Sequence, residues 1–271
     1  MSERGDAGGD GVHSRELLGV RFALLDYEEV LRRMDRMIGS GERGYLCCTS
    51  VHGLMESRHD SVLAEALNGA TLNLPDGMPV VWALNLLGEG RPLRDRVYGP
   101  TLMERACERA AAARRRIYLY GGHDEQALRE LKNALRRRSP AIEIAGAWSP
   151  PHREISAAEQ DEVAHRIDLS GAEIVWCGIS TPRQEKWVSR MRPLLQAPVL
   201  VSVGAAFDFL AGRVSQAPSW MQRRGLEWAY RLSREPRRLG PRYLRNNPAF
   251  IAAVARQYAS ERRSRQRANS P

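Results

Sequence analysis

The sequence predicts an α/β fold organised around a doubly wound, mostly parallel sheet, and three observations carry that expectation. Apolar runs of strand length recur along the chain, amphipathic stretches with helical spacing separate most of them, and the strand signal ends near Gly212, where the chain turns basic. Strands alternating with helices imply βαβ units, because parallel strands need a crossover and the crossover helix covers a face of the sheet. The expected architecture is a Rossmann-like core followed by a basic helical C-terminal appendage.

Taken in chain order, residues 1–15 are polar and glycine-rich, lack the apolar stretch of a signal peptide, and are expected to form a flexible tail. The runs 18–24, 45–48, 71–74, 117–120, 142–145, 174–177 and 199–203 are short and apolar enough for buried strands. Asp26-Tyr-Glu-Glu29 is a capping box with Asp in place of Ser, and it predicts a helix to about Ile38. Leu128, Leu131 and Leu135 mark one face of a helix over 123–138, whose basic end suits a helix C-terminus. Ser156, with Glu159 three residues on, opens another. Pro150-Pro151 marks a loop, and no internal repeat is present. Over 217–247 the chain predicts two or three short helices punctuated by Pro218, Pro236 and Pro241. Arg231, Arg234, Arg238, Arg242 and Arg245 would form one stripe on a continuous helix, which the prolines are expected to interrupt. The expected division is a tail (1–15), an α/β core (16–212), a basic helical membrane-associating appendage (213–258) and a disordered basic tail (259–271).

At 271 residues, 43% hydrophobic and 27% charged, the chain is long and apolar enough to bury a sizeable core, which excludes wholesale disorder. No apolar run approaches the ~18 residues of a membrane span. Cys47, Cys48, Cys107 and Cys177 have no CxxC spacing, so a disulfide scaffold or zinc cluster is not expected and a reducing, intracellular setting is. Between Arg213 and Arg267 stand 14 arginines, no lysine and three acids (Glu227, Glu235, Glu261), whereas the whole chain carries only +9. The positive charge therefore belongs to the C-terminal fifth. Such a block faces a polyanion (nucleic acid, an anionic membrane surface or substrate phosphates) or forms a solvated tail.

Four loops follow strands, where an open parallel sheet places its ligands. They are Thr49-Ser50-Val51-His52, Pro75-Asp76-Gly77-Met78-Pro79, Tyr120-Gly121-Gly122-His123 and the segment opening at Gly178. Asp76, between a strand end and a helix start, can act as a general base or cap the helix. The paired glycines permit close approach of a phosphate at Gly122, although any tight strand-to-helix turn also wants glycine. GxGxxG and Walker A sequences are absent, which removes the main support for nicotinamide or P-loop chemistry. Gln184 and Glu185 open a helix and can read a nucleotide or sugar, or cap that helix. Asp208 is either a ligand-contacting carboxylate or a structural cap. No Asp-x-Asp occurs, so an enzyme of diphosphates built on this sequence would draw its counter-charge from arginines rather than a protein-held metal.

Six segments in order carry a family resemblance. They are Leu74-Pro-Asp-Gly-Met-Pro-Val-Val-Trp-Ala83, Arg96-Val-Tyr-Gly-Pro100, Gly178-x-x-x-Pro-x-Gln-Glu-Lys-Trp187, Gly204-Ala-Ala-Phe-Asp-x-x-x-Gly212, Ala217-Pro-x-Trp-Met-Gln222 and Gly225-Leu-Glu-Trp-x-x-Arg-Leu-x-x-Glu-Pro-x-Arg238. Together they resemble the WecG/TagA/CpsF glycosyltransferases, glycosyltransferase family 26, over about residues 18–244. The resemblance implies a bacterial, inverting, metal- and cofactor-independent enzyme of surface-polysaccharide or teichoic-acid synthesis. It would move N-acetylmannosamine, its uronic acid or a related hexose from a UDP-sugar donor to a polyprenyl-diphosphate-linked acceptor. It also implies a peripheral location on the inner face of the plasma membrane, bound to its anionic surface, and allows a homo-oligomer.

By the same resemblance Asp76 is the general base, Arg96 lies near the donor diphosphate, and Gln184 and Glu185 line the donor pocket. Arg224, Arg231, Arg234, Arg237 and Arg238 are candidates for lipid diphosphate, UDP phosphate or membrane headgroups. Relatives carry a Thr-x-Asn turn after the second strand. Cys48 and Ser50 stand there in this chain, and Thr49 is the adjacent candidate. The competing reading is a nucleic-acid-binding α/β protein using the basic C-terminus, but its aromatics form no RNA-binding motif.

Overall fold

The structure is a computed structural model, and it describes residues 12–88 and 92–268. A two-stranded hairpin comes first: β1 (Ser14–Leu17) pairs antiparallel with β2 (Val20–Ala23). The expected single strand over 18–24 is thus two strands, with residues 18 and 19 as the turn. Leu18 (φ 53°) and Gly19 (φ 84°) both take positive φ, the conformation a tight two-residue hairpin demands. Because β1 starts at Ser14, order begins earlier than the expected 1–15 tail allows, and residues 1–11 lie outside the described part.

The core alternates strand and helix as expected. Its elements are α1 (Tyr27–Ser40), β3 (Gly44–Thr49), α2 (Val51–Ser57), α3 (Ser61–Asn68), β4 (Leu72–Pro75), α4 (Met78–Leu87) and α5 (Gly99–Ala112). There follow β5 (Arg116–Gly121), α6 (Glu125–Arg138), β6 (Glu143–Trp148), α7 (Ala157–Ser170), β7 (Ile174–Gly178), α8 (Arg183–Met191), β8 (Val199–Ser202) and α9 (Ala206–Leu210). Both anticipated capping boxes form: Asp26 with Glu29 starts α1, and Ser156 with Glu159 starts α7.

Six strands make one parallel sheet in the order β4-β3-β8-β7-β5-β6. Side chains alternate between its faces, so consecutive core residues serve two cores. Leu46, Leu119, Trp176 and Val201 pack on one side with α1, α5, α6 and α9. Cys47, Tyr118, Tyr120, Val175 and Leu200 pack on the other with α2, α4, α7 and α8. Trp187 of α8 is buried there and stacks on Tyr120 with centroids 3.8 Å apart. All four cysteines are free and buried.

The appendage comprises α10 (Ser219–Arg223), α11 (Glu227–Arg234) and α12 (Pro236–Ala268). Here the structure corrects two expectations. Pro241, expected to break the helix, lies inside α12 without ending it, as does Pro248, and residues 259–268, expected to be disordered, continue that helix. Both prolines sit on its exposed side, while Leu239, Phe250, Ala253 and Val254 are buried and the helix packs on α2, α4 and α11. Burial of that face outweighs the helix-breaking tendency of the prolines. Near its C-terminal end the Gln257 side chain accepts from Leu18 N–H (2.9 Å) and donates to Glu16 C=O (3.3 Å), tying α12 to the opening hairpin. Among the described residues no helix is long and apolar enough to cross a membrane.

Candidate active site

The carboxyl ends of the strands and the appendage face each other across a cleft of about 1380 Å³. That exceeds the ~300–1,000 Å³ usual for one small ligand and leaves room for two substrates. Its core wall carries Ser50, Asp76, Ser180, Gly204 and Asp208, and its appendage wall carries Arg224, Glu227, Arg231, Arg238 and Arg242. The cleft therefore sits where an open parallel sheet puts its ligands, closed over by the basic segment.

Asp76 follows β4 directly. Its own N–H donates to Thr49 C=O (3.0 Å), which fixes the turn against β3. The N-cap of α4 is Gly77 (φ 137°, ψ 136°), and no side chain caps that helix. Asp76 is thus not spent on capping that helix. One carboxylate oxygen, Oδ2, accepts a long hydrogen bond from Gly99 N–H (3.4 Å), and the half-buried side chain opens to the cleft. Burial pushes its pKa from 3.8 to about 7; Arg96, the Gly99 N–H and Arg231 oppose the rise, whereas Glu227 adds to it. A carboxyl that titrates near neutrality is suited to exchanging a proton with a sugar hydroxyl.

Arg96 lines the same cleft, but its guanidinium already has protein partners. It makes a 2.5 Å ion pair with Glu227 of α11. It also donates to Gln222 Oε1 (3.0 Å) and lies 4.0 Å above the Tyr98 ring. Arg96 therefore ties the core to the appendage beside Asp76. Glu227 and Gln222 are the residues the sequence reading overlooked here. The available signal was that Glu227 is one of three acids in a 14-arginine block.

Four expected substrate contacts lie behind the cleft wall instead. Thr49 is buried, and its hydroxyl donates to Asn73 Oδ1 (2.5 Å), bracing β3 against β4. Gln184 and Glu185 are also buried. Gln184 Oε1 accepts from Gly204 N–H (3.0 Å) and its amide donates to Glu185 Oε1 (2.8 Å), which also accepts from Thr181 Oγ1 (2.9 Å). The pair thereby holds the two cleft-lining loops at Thr181 and Gly204. Burial raises the Glu185 pKa, and its Oε2 has no hydrogen-bond partner among the described residues. Gly122 is absent from the lining as well. The glycine pair is used structurally, since Gly121 has φ +140° and a Cβ there would lie 2.4 Å from Gly178 C=O. Ser50 does line the cleft, as the N-cap of α2 with a hydroxyl that makes no capping bond.

The expected arginines divide. Arg224, Arg231 and Arg238 line the cleft. Arg234 instead lies over the Tyr230 ring outside it, and Arg237 is exposed and not part of the wall. The break at Glu235 between α11 and α12 is what splits the stripe. Arg238 pairs with Glu235. Arg242, a member of the spacing but not an expected contact, belongs to the wall. The Nε atoms of Arg231 and Arg242 are buried with no hydrogen-bond partner among the described residues, which an anionic ligand would remedy. Next to them His52 meets Asn246 of α12 (Nδ1 to Nδ2, 3.1 Å). Burial, with Arg242 nearby, pushes the His52 pKa down to about 4, so the ring is neutral near pH 7. No group of three or more His, Cys, Asp or Glu among the described residues is placed to hold a metal ion.

A parallel α/β sheet with an unspent carboxyl at its carboxyl edge, facing a cationic helical wall, describes an enzyme of anionic substrates. The sequence model of the WecG/TagA/CpsF glycosyl transferase family matches residues 15–264, and the chain belongs to that family. It is a glycosyltransferase. A relative in Bacillus spizizenii is 32% identical over 201 residues, covering 74% of this chain and 73% of the relative. One in Bacillus subtilis is 30% identical over 172 residues, 64% of each chain. Each is named an N-acetylglucosaminyldiphosphoundecaprenol N-acetyl-beta-D-mannosaminyltransferase.

Proposed function

We propose that this chain is an inverting, metal-independent glycosyltransferase of bacterial surface-polysaccharide synthesis. It would move N-acetylmannosamine or a closely related sugar from a UDP donor to a polyprenyl-diphosphate-linked N-acetylglucosamine. The observation that carries the reading is Asp76: a carboxyl with a pKa lifted to about 7, not used as a cap, in a cleft wide enough for donor and acceptor.

In this reading Asp76 takes the proton from the acceptor hydroxyl as that oxygen bonds to the anomeric carbon. The bond from that carbon to the UDP oxygen breaks on the opposite face, and UDP leaves with the electron pair. Arg231 and Arg242 then meet the charge that grows on the leaving diphosphate, the part a divalent metal plays in other transferases, while Arg224 meets the diphosphate of the acceptor. Arg96 orients the appendage through Glu227, while Gln184 and Glu185 position the loops around the donor. Arg256, Arg263 and Arg267, grouped on the last turns of α12, suit the anionic headgroups of the membrane that holds the acceptor.

The test is UDP release across a panel of UDP-sugars with a short-chain prenyl-diphosphate-N-acetylglucosamine acceptor, with and without EDTA. Acceptor-dependent release that EDTA leaves intact is expected. Release abolished by EDTA and restored by a divalent metal would refute the metal-independent mechanism.

A further inference from the structure

Beyond the arginines, one end of the cleft is apolar. Trp82 and Leu86 stand one helical turn apart on α4 and are 49% and 53% exposed. Ile251 of α12 (67% exposed) faces the same space, joined by Leu226 and Trp228 from the α10–α11 turn and the start of α11. Large apolar side chains left open together and rimmed by charge mark a binding surface. This strip adjoins the cationic wall directly: a Cβ on Gly225 would lie 2.6 Å from the Trp82 ring, so the turn bearing Arg224 rests on that ring. Asp76 also lies just before α4, and by the 1.5 Å rise per residue Leu86 is ~15 Å from it along the helix.

The cleft thus holds a carboxyl, arginines and an apolar strip, with Arg224 next to the strip, which matches the sugar, diphosphate and hydrocarbon of one lipid-linked acceptor. We propose that the Trp82–Leu86–Ile251 strip binds the isoprenoid segment next to the diphosphate of the acceptor. The inference rests on the functional reading above and adds a lipid-chain subsite to it. The occupant is a single chain drawn into the cleft, not the bilayer surface, because these side chains line a concavity shared with Asp76. Leu244, 79% exposed, lies outside that concavity and supplies a control.

The experiment uses the full chain in detergent and two acceptors, N-acetylglucosamine diphosphate carrying either an undecaprenyl chain or a two-carbon alkyl group. In the double variant Leu86→Asn/Ile251→Asn, KM for the long-chain acceptor should rise at least tenfold, with kcat and the short-acceptor KM unchanged. Leu244→Asn should change neither acceptor. Equal losses with both acceptors, or no loss with the long one, overturn the subsite. So does a loss seen only when the acceptor is embedded in vesicles, which would make the strip a bilayer contact. If the wild type turns over neither acceptor, the functional reading fails, and a binding measurement then decides the subsite separately. Undecaprenyl phosphate in micelles should shift the tryptophan emission of the wild type, shift that of Trp82→Phe less because Trp228 remains on the strip, and leave that of the double variant unchanged. An identical shift in all three refutes the subsite.

Discussion

Replacing Asp76 by Asn should inactivate the enzyme and stabilise it. The carboxyl pKa is raised from 3.8 to about 7 in the fold, chiefly by burial. A folded acid with a raised pKa binds more protons than its unfolded counterpart between those values, so native stability falls as pH climbs from about 4 to 7. At ~1.4 kcal/mol per pKa unit the full loss approaches ~4 kcal/mol, and because the side chain is only half-buried against cleft water, about 2 kcal/mol is expected. Asn keeps an acceptor for Gly99 N–H, carries no charge and escapes that loss. For a chain of this size ~2 kcal/mol amounts to a melting-temperature gain of roughly 4–8 °C. Thermal melts of wild type and Asp76→Asn from pH 4 to 8.5 should nearly coincide at the acid end, separate progressively between pH 4 and 7, and stay apart by a constant margin above that. Turnover should fall by ~10²–10⁴, the usual contribution of a general base. Wild-type kcat/KM should rise with pH to a plateau, with a midpoint near 7. An Asp76→Asn protein that turns over normally, or that melts below wild type at pH 8, refutes the reasoning.

Glu227→Gln breaks the ion pair with Arg96 and should cost ~3 kcal/mol, read as faster proteolysis of the appendage while the core resists. Because Glu227 helps raise the Asp76 pKa, its neutralisation should also move the midpoint of the pH–rate curve below that of wild type. Gly121→Ala puts a Cβ 2.4 Å from Gly178 C=O at a positive φ and should destabilise the protein by ~3 kcal/mol, measured by urea denaturation. Glu185→Gln should gain stability relative to wild type as pH rises from 4 to 8, since burial raises the Glu185 pKa and the amide removes that titration. A parallel course for the two proteins would show Glu185 to be ionised at no cost.

The sequence by itself determined the strand–helix alternation of the core, because strand alternation, capping boxes and apolar spacing are local patterns set by backbone geometry and solvent. The starts of α1 and α7 could be read from Asp26, Glu29, Ser156 and Glu159 alone. The strand-to-helix turn, a local motif, also singled out Asp76 as base or cap, and it was the family resemblance that favoured the base. Only the tertiary structure decided which polar residues reach the cleft. Gln184 and Glu185 look alike from sequence whether they face a ligand or a neighbouring loop, and Gly204 N–H, 20 residues away, resolves it. The pairing of Arg96 with Glu227 spans more than 130 residues and leaves no periodic trace. Pro241 reads as a break because propensity counts only local hydrogen bonds. In the fold, burial of Phe250, Ala253 and Val254 against the core supplies the larger opposing free energy, and the helix runs on.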